Sequence, residues 1–281
     1  MKIRYLCTYW GCESLSAQAF LTRAVDNGFD GVEINIPENP EFIVEFMDTL
    51  AAIRATVNPN FYFVAQQVSA QKKETEAEYT KRFCDRLAFL IQLAPDAINS
   101  HTGKDYYSFS SNCKIILEAE QISKRSGIPI WHEIHRGRFT FHLKTLLDYL
   151  EVFPNLQFVG DFSHFCVVSE SNLDDQFELL KQIFPHVQHI HARIGFEQGP
   201  QVNHPFAPEW ASYLSKYLEW WQAIIQLHQK RKKQYLTITP EFGPEPYMPL
   251  EPFTKKPMAS QWNINLEMKN YLINHLVHEI H

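Results

Sequence analysis

Short stretches in which apolar residues run together or alternate with polar ones recur along the chain. They begin near Ile3, Phe29, Phe61, Asp96, Ile128, Leu156, Val187 and Tyr235. A period of two marks a strand. All but the last spacing are close to the roughly thirty residues that a strand, a returning helix and two loops consume. Between them, apolar positions recur at three- and four-residue intervals. That period predicts helices over 15–27, 40–57, 74–94, 110–126, 141–152, 174–184 and 209–232. Asn27-Gly28 and Ser126-Gly127 are stop signals, and Asp174-Asp175 stands where the sixth helix presents its positive end.

Eight strands alternating with helices, with no Gly-rich phosphate loop after the first strand, predict a closed (β/α)8 barrel in preference to a doubly wound sheet. The last spacing is longer because 196–208 makes an excursion before the seventh helix, and loops of that length in a compact domain usually serve function. After Glu241, a Pro-rich irregular stretch covers 243–257, and 261–281 reads as a closing helix. No linker or low-complexity segment divides the chain, which is expected to be one TIM-barrel domain over 1–281.

The chemistry concentrates at Val187-Gln188-His189-Ile190-His191-Ala192-Arg193-Ile194-Gly195. Alternation places His189, His191 and Arg193 on one face and Gln188, Ile190, Ala192 and Ile194 on the other. Three basic groups turned inward need an anionic or metallic partner. Three other runs end in carboxylates, at Glu133, Asp161 and Glu241. In a barrel the site lies at the carboxyl ends of the strands, so Glu133, Asp161, His191 and Glu241 converge from strands five to eight. Three carboxylates in one cavity repel one another, and a divalent ion compensates them. The oxygen-rich set suits Mn²⁺, Co²⁺ or Mg²⁺ and also accepts Zn²⁺.

Composition narrows the function classes. The formal charge is −6, and the one basic run, Lys230-Arg231-Lys232-Lys233, reads as a solvated helix end, which argues against a nucleic-acid partner. No signal-peptide pattern follows Met1 and no apolar run nears the roughly 20 residues of a membrane span. A soluble, cytoplasmic protein is expected, with a homo-oligomer left open. Cys7, Cys12, Cys84, Cys113 and Cys166 are scattered and form no CxxC pair, so they read as reduced thiols, mostly buried.

Four motifs in order, Trp131-His132-Glu133, Gly160-Asp161-Phe162-Ser163-His164, His189-Ile190-His191 and Pro240-Glu241-Phe242, make the chain resemble the xylose isomerase-like TIM barrels. These include ketose 3-epimerases, hydroxypyruvate isomerases, inosose dehydratases and, more distantly, zinc apurinic endonucleases. The resemblance implies that Glu133, Asp161, His191 and Glu241 bind one divalent ion and that the two glutamates shuttle a proton. It also implies that His164 holds a substrate oxygen, with Arg193 a second polar anchor. His101 looks like the family histidine that contacts substrate in isomerases and a further zinc in endonucleases, and it reads equally as a histidine bonded beneath a loop. Glu33 reads as orienting a substrate hydroxyl or as structural. His189 reads as packing behind the ligands. Trp10 and Trp131 read as sugar-stacking aromatics or as core. His135, Arg136 and Arg138 follow Glu133 closely enough to line the mouth, with a surface place expected for the arginines. Strand three ends Val64-Ala65-Gln66-Gln67 without a histidine, and the loop Gln201-Val202-Asn203-His204-Pro205 lacks an aspartate. Both depart from the endonucleases. The expected activity is therefore a metal-dependent isomerase or epimerase of a small sugar or polyol. Cyclitol dehydration on the same site is the first alternative, and a zinc phosphodiesterase is the second.

Overall fold

The eight apolar runs are eight parallel strands closed into a barrel in the order of the sequence, in a computed structural model that describes residues 1–68 and 73–276. They are β1 (Lys2–Thr8), β2 (Gly31–Ile34), β3 (Tyr62–Gln67), β4 (Ala97–Ser100), β5 (Ile130–Glu133), β6 (Phe158–Gly160), β7 (Val187–His191) and β8 (Tyr235–Thr239). The barrel closes through pairing of β1 with β8, Lys2 opposite Tyr235. The expected (β/α)8 architecture is the one observed.

Around it lie α1 (Ala17–Asp26), α2 (Pro40–Thr56), α3 (Glu76–Gln92), α4 (Phe109–Ser126), α5 (Leu143–Val152), α6 (Ser163–Ser169), α7 (Phe177–Ile183), α8 (Ala211–Lys230) and α9 (Gln261–His275). Local chemistry sets their ends. The Ser16, Ser108 and Ser260 side chains accept N-terminal amides of α1, α4 and α9. Thr75 and Glu78 form a reciprocal capping box on α3. Gly127 closes α4 in a left-handed conformation, φ 74°. Of the closing helix expected over 261–281, positions 277–281 lie outside the described residues. The short helix α6 has no counterpart among the predicted elements, because one apolar turn leaves little periodicity to read. Asp174 and Asp175 form a 3₁₀ turn that leads into α7.

Alternation divides the core in two. Outward residues such as Ile98, Phe158 and Ile190 pack under the helices. Inward residues Leu6, Tyr62, Val64, Ala97, Trp131 and Val159 fill the lower barrel. Trp131 thus belongs to the core, and its ring stacks on His189 at 5.8 Å and 14°. At the floor, the Arg4 guanidinium lies 5.1 Å over Tyr62 and 4.5 Å over Tyr235. Two residues further along each strand the interior turns polar, with Thr8, Glu33, Gln66, Asn99, Glu133, His191 and Thr239 all buried. Gly31 lets β2 approach β3, since a Cβ there would meet the Tyr62 carbonyl oxygen at 2.2 Å.

The five cysteines are free; Cys7, Cys12 and Cys166 are buried and the other two half-buried. Among the described residues no helix is long and apolar enough to cross a membrane.

Candidate active site

Glu133 and His191 are the last residues of β5 and β7, Asp161 directly follows β6, and Glu241 lies two residues past β8. Each keeps the inward parity of its strand, so one ligand-type atom from each lies within 4.8 Å of those of the other three. His191 Nδ1 is 2.8 Å from Glu241 Oε2 and 3.9 Å from Glu133 Oε2.

Beneath this group, Glu33 is fully buried. It accepts hydrogen bonds from Thr239 Oγ1 at 2.6 Å, Asn99 Nδ2 at 2.9 Å, Gln66 Nε2 at 3.1 Å and His189 Nε2 at 3.0 Å. His191 Nε2 approaches both Glu33 oxygens, at 3.0 and 3.1 Å. Burial opposes its charge, yet His191 and His189 hold the Glu33 carboxyl well below the usual carboxylate range. The structure thus places Glu33 a layer deeper than the substrate contact considered from the sequence, with both oxygens already engaged.

This arrangement determines what His191 offers above. With its Nε2–H given to Glu33, Nδ1 carries a lone pair, and Nδ1 is buried without a well-directed hydrogen bond. It faces carboxylates that, when ionised, have no hydrogen to give. A cation among these groups reconciles them, so the residues present fit a divalent ion. With protons alone, burial disfavours charge on His191, but Glu241, Glu33 and Glu133 outweigh it and raise the ring's pKa well above its ordinary value.

The two glutamates differ. Burial opposes charge on Glu133 as well, but His101 and His191 hold it well below the usual range. Burial, only partly offset by His191, pushes Glu241 up to about 7. Asn99 Nδ2 donates to Glu133 Oε2 at 2.6 Å, and His101 Nε2 stands 3.0 Å from Glu133 Oε1.

β7 ends at His191, and the Arg193 N–H donates to the His191 carbonyl at 3.0 Å. Arg193 nonetheless keeps the inward face expected from the period of two. Its guanidinium is buried, pairs closely with Asp161 Oδ2 and donates to His164 Nε2 at 3.0 Å. Trp10 and Tyr247 cover it at 5.7 and 4.8 Å. His164 stands behind this pair and behind His135, whose ring centroid is 3.9 Å away, so His135 lines the cavity and His164 does not. Burial keeps both rings neutral. The surface place expected for Arg138 is corrected: the turn at Gly137, φ 76°, brings it inward, 5% exposed, onto His101 Nδ1 at 3.2 Å. Arg136 is half-buried and donates to the Tyr247 hydroxyl at 3.2 Å.

Glu133, Glu241, His101 and Arg193 border a cavity of about 390 Å³, with Trp10, Gln66, His135 and Tyr247 on its walls. Gln66 and Tyr247 were not anticipated. Gln66 stands where the third strand lacks a histidine, and it donates to Glu33 and, at 3.4 Å, to Glu241. Tyr247 comes from the irregular 243–257 stretch and meets Trp10 edge-on at 5.0 Å. The excursion after β7 is tied to the same roof, since Gln201 bonds both the N–H and the carbonyl of Gly243, at 2.7 and 3.2 Å.

No family's sequence profile matches the chain, and no curated protein matches it in sequence. Solved structures do match along nearly the whole length. The IolI protein with a bound zinc atom is 16% identical, with 99% of this chain and 100% of that chain covered and a TM-score of 0.67. A D-tagatose 3-epimerase-like protein is 14% identical, with coverage of 98% and 97% and a TM-score of 0.65. The probable 3-DHS dehydratase AsbF of Bacillus anthracis is 19% identical, with coverage of 98% and 99% and a TM-score of 0.64. At these identities the likeness is one of architecture, and the chain has the fold of the xylose isomerase-like TIM barrels.

Proposed function

We propose that the chain is a divalent-metal-dependent isomerase or epimerase that moves a proton next to the carbonyl of a small sugar or polyol. The observation that carries this reading is His191 Nδ1 set against Glu241 Oε2 at 2.8 Å, with Glu133 and Asp161 alongside. Glu133, Asp161, His191 and Glu241 would hold the ion. When bound, it supplies a positive charge that stabilises the substrate oxygen becoming negative as a carbon-bound proton leaves.

The chain's own residues carry the proton. Glu133 and Glu241 both border the cavity, so one is placed to accept the proton and the other to return one. A proton taken on one side of a carbon and returned on the other inverts that centre. Trp10 and Tyr247 offer apolar surface to a sugar's carbon–hydrogen face and keep water from the reacting atoms. Arg193, held by Asp161, orients its remaining N–H groups toward the cavity. Among the neighbours, an epimerase-like protein and a zinc-bound IolI support the reading.

Dehydration is the second reading, since the probable dehydratase is an equally close neighbour and loss of water can follow the same proton removal. A phosphodiesterase has less support, because Gln66, where a third-strand histidine is missing, is committed to Glu33 and Glu241. The test is a panel of ketoses and cyclitols in heavy water with Mn²⁺, Co²⁺, Mg²⁺ or Zn²⁺, alongside elemental analysis of the purified protein. Metal-dependent deuterium entry beside a carbonyl supports the proposal. No bound metal, or no exchange with any member, argues against it.

A further inference from the structure

We infer that Arg138 fixes the tautomer of the His101 ring, making His101 a hydrogen-bond donor to Glu133 and barring it from service as the ligand of a second metal ion. The inference rests on the proposed role of Glu133.

Next to the four-residue group lies another set of ligand-type atoms, from His101, Glu133 and His135, also within 4.8 Å of one another. Glu133 belongs to both. By atom type alone a second ion could sit here, bridged to the first through Glu133, and the chemistry open to the site would change. Donor and acceptor assignment decides the matter. Arg138 Nη2 stands 3.2 Å from His101 Nδ1, and a guanidinium only donates. Nδ1 must therefore present its lone pair, and the neutral ring carries its hydrogen on Nε2. Nε2 is the atom 3.0 Å from Glu133 Oε1, where it gives a hydrogen bond. A metal needs a lone pair at that position, and this tautomer has none there.

Arg138 is built to hold this place. It is 5% exposed, and its Nη1 donates to the Gly137 carbonyl at 3.1 Å, in the turn where Gly137 adopts φ 76°. His135 shows the opposite polarity. Its Nδ1 lies 2.5 Å from the Arg136 carbonyl, which only accepts, so its lone pair is on Nε2. The second set is thus left with two willing ligands.

The two histidines that meet Glu133 are set in opposite senses. His191 gives its N–H downward to Glu33 and turns a lone pair toward the glutamates. His101 takes a hydrogen from Arg138 and turns an N–H toward Glu133. A cation is drawn to the first side and excluded from the second. Arg138 is in this sense a positioning residue: it acts through His101 on one Glu133 oxygen, while Asn99 engages the other.

The test uses the full chain. Side-chain ¹⁵N spectra of the metal-free protein report the tautomer, with the His101 signal identified by its loss in His101→Asn. Bound zinc per chain is measured under excess zinc. Arg138→Lys remains donor-only, whereas Arg138→Gln can turn its amide oxygen to accept from Nδ1–H. The expected result is an Nε2–H ring at His101 in the wild type and in Arg138→Lys, with equal zinc content. Arg138→Gln should shift the ring toward Nδ1–H and double the zinc bound per chain. An Nδ1–H ring in the wild type overturns the inference, and so does a folded Arg138→Gln variant with wild-type tautomer and zinc content. If Arg138→Gln does not fold, the wild-type tautomer alone decides. A wild type that binds no ion defeats the proposed function instead, and the metal-free spectra still decide the role of Arg138.

Discussion

Replacing Glu33 by glutamine keeps the shape of the barrel's buried polar floor but removes its charge and half its acceptor capacity. The carboxylate takes hydrogens from Thr239, Asn99, Gln66, His189 and His191, all buried. An amide nitrogen in place of either oxygen sets donor against donor. Charge-assisted bonds contribute about 1.5–3 kcal/mol each, and breaking a buried ionic arrangement costs about 3–5 kcal/mol, so a loss of about 3–5 kcal/mol is expected in the metal-free protein. His191 also loses the partner that holds its hydrogen on Nε2. Removing a carboxylate behind a ligating histidine typically weakens metal binding about 10–100-fold, or roughly 1.4–2.7 kcal/mol. Competition against a chelator of known affinity measures the second effect, and thermal melts with and without the ion separate it from the first. A folded Glu33→Gln variant that binds metal within twofold of the wild type would refute the claim that Glu33 sets the histidine's orientation.

Asp161→Asn preserves shape and removes one charge from the proposed ligand set; metal content by elemental analysis should drop sharply without unfolding, and full occupancy would remove Asp161 from that set. Arg193→Met leaves Asp161 buried without its partner, so the metal-free protein should lose about 3–5 kcal/mol in a denaturant titration and the apparent substrate constant should rise. Wild-type values in both would mean that the pair contributes little. Glu133→Gln and Glu241→Gln should each abolish turnover, while one of them can still exchange substrate hydrogen with heavy water; substantial turnover in both, with metal bound, would end the two-carboxylate mechanism. Glu241 has a folded pKa of about 7, raised above its unfolded value, so its favourable contribution is complete below that unfolded value and fades as pH rises through about 7. The metal-free wild type should therefore lose melting temperature between pH 5 and pH 8 relative to Glu241→Gln, and parallel curves would contradict the raised value.

The barrel was legible because strands carry a period of two and several helices carry their own cap or stop signal, both local signals. The convergence of Glu133, Asp161, His191 and Glu241 was legible for a related reason: parity and strand ends are one-dimensional properties that a barrel converts into a point. Arg193 followed the same parity even though pairing stops at His191. Features set by loop paths were not legible. Tyr247 arrives from a Pro-rich stretch whose course depends on packing against Trp10. Arg138 turns inward because one glycine takes a positive φ. His135 stands before His164, a matter of the loop after β5 meeting the first turn of α6, and no spacing within either segment encodes it. Glu33 was visible as a strand-end acid, but its depth depends on barrel stagger, which puts it level with residues from distant strands.

Trp131, stacked flat on His189, has a consequence for how this chain tolerates change. The ring is a partition within the barrel: Leu6, Tyr62, Val64, Ala97 and Val159 pack with it, over the Arg4 guanidinium at the floor, while the interior above it is polar. Leu6, Val64, Ala97 and Val159 can exchange volume with one another as hydrophobic cores do, drifting in sequence at small cost. The upper layer has less freedom, because Glu33 alone ties Thr239, Asn99, Gln66, His189 and His191 together. Divergence within the barrel interior should therefore be steeply graded along the strands, and a designer seeking spare stability for altered chemistry at the top has the layers at and beneath this indole in which to find it.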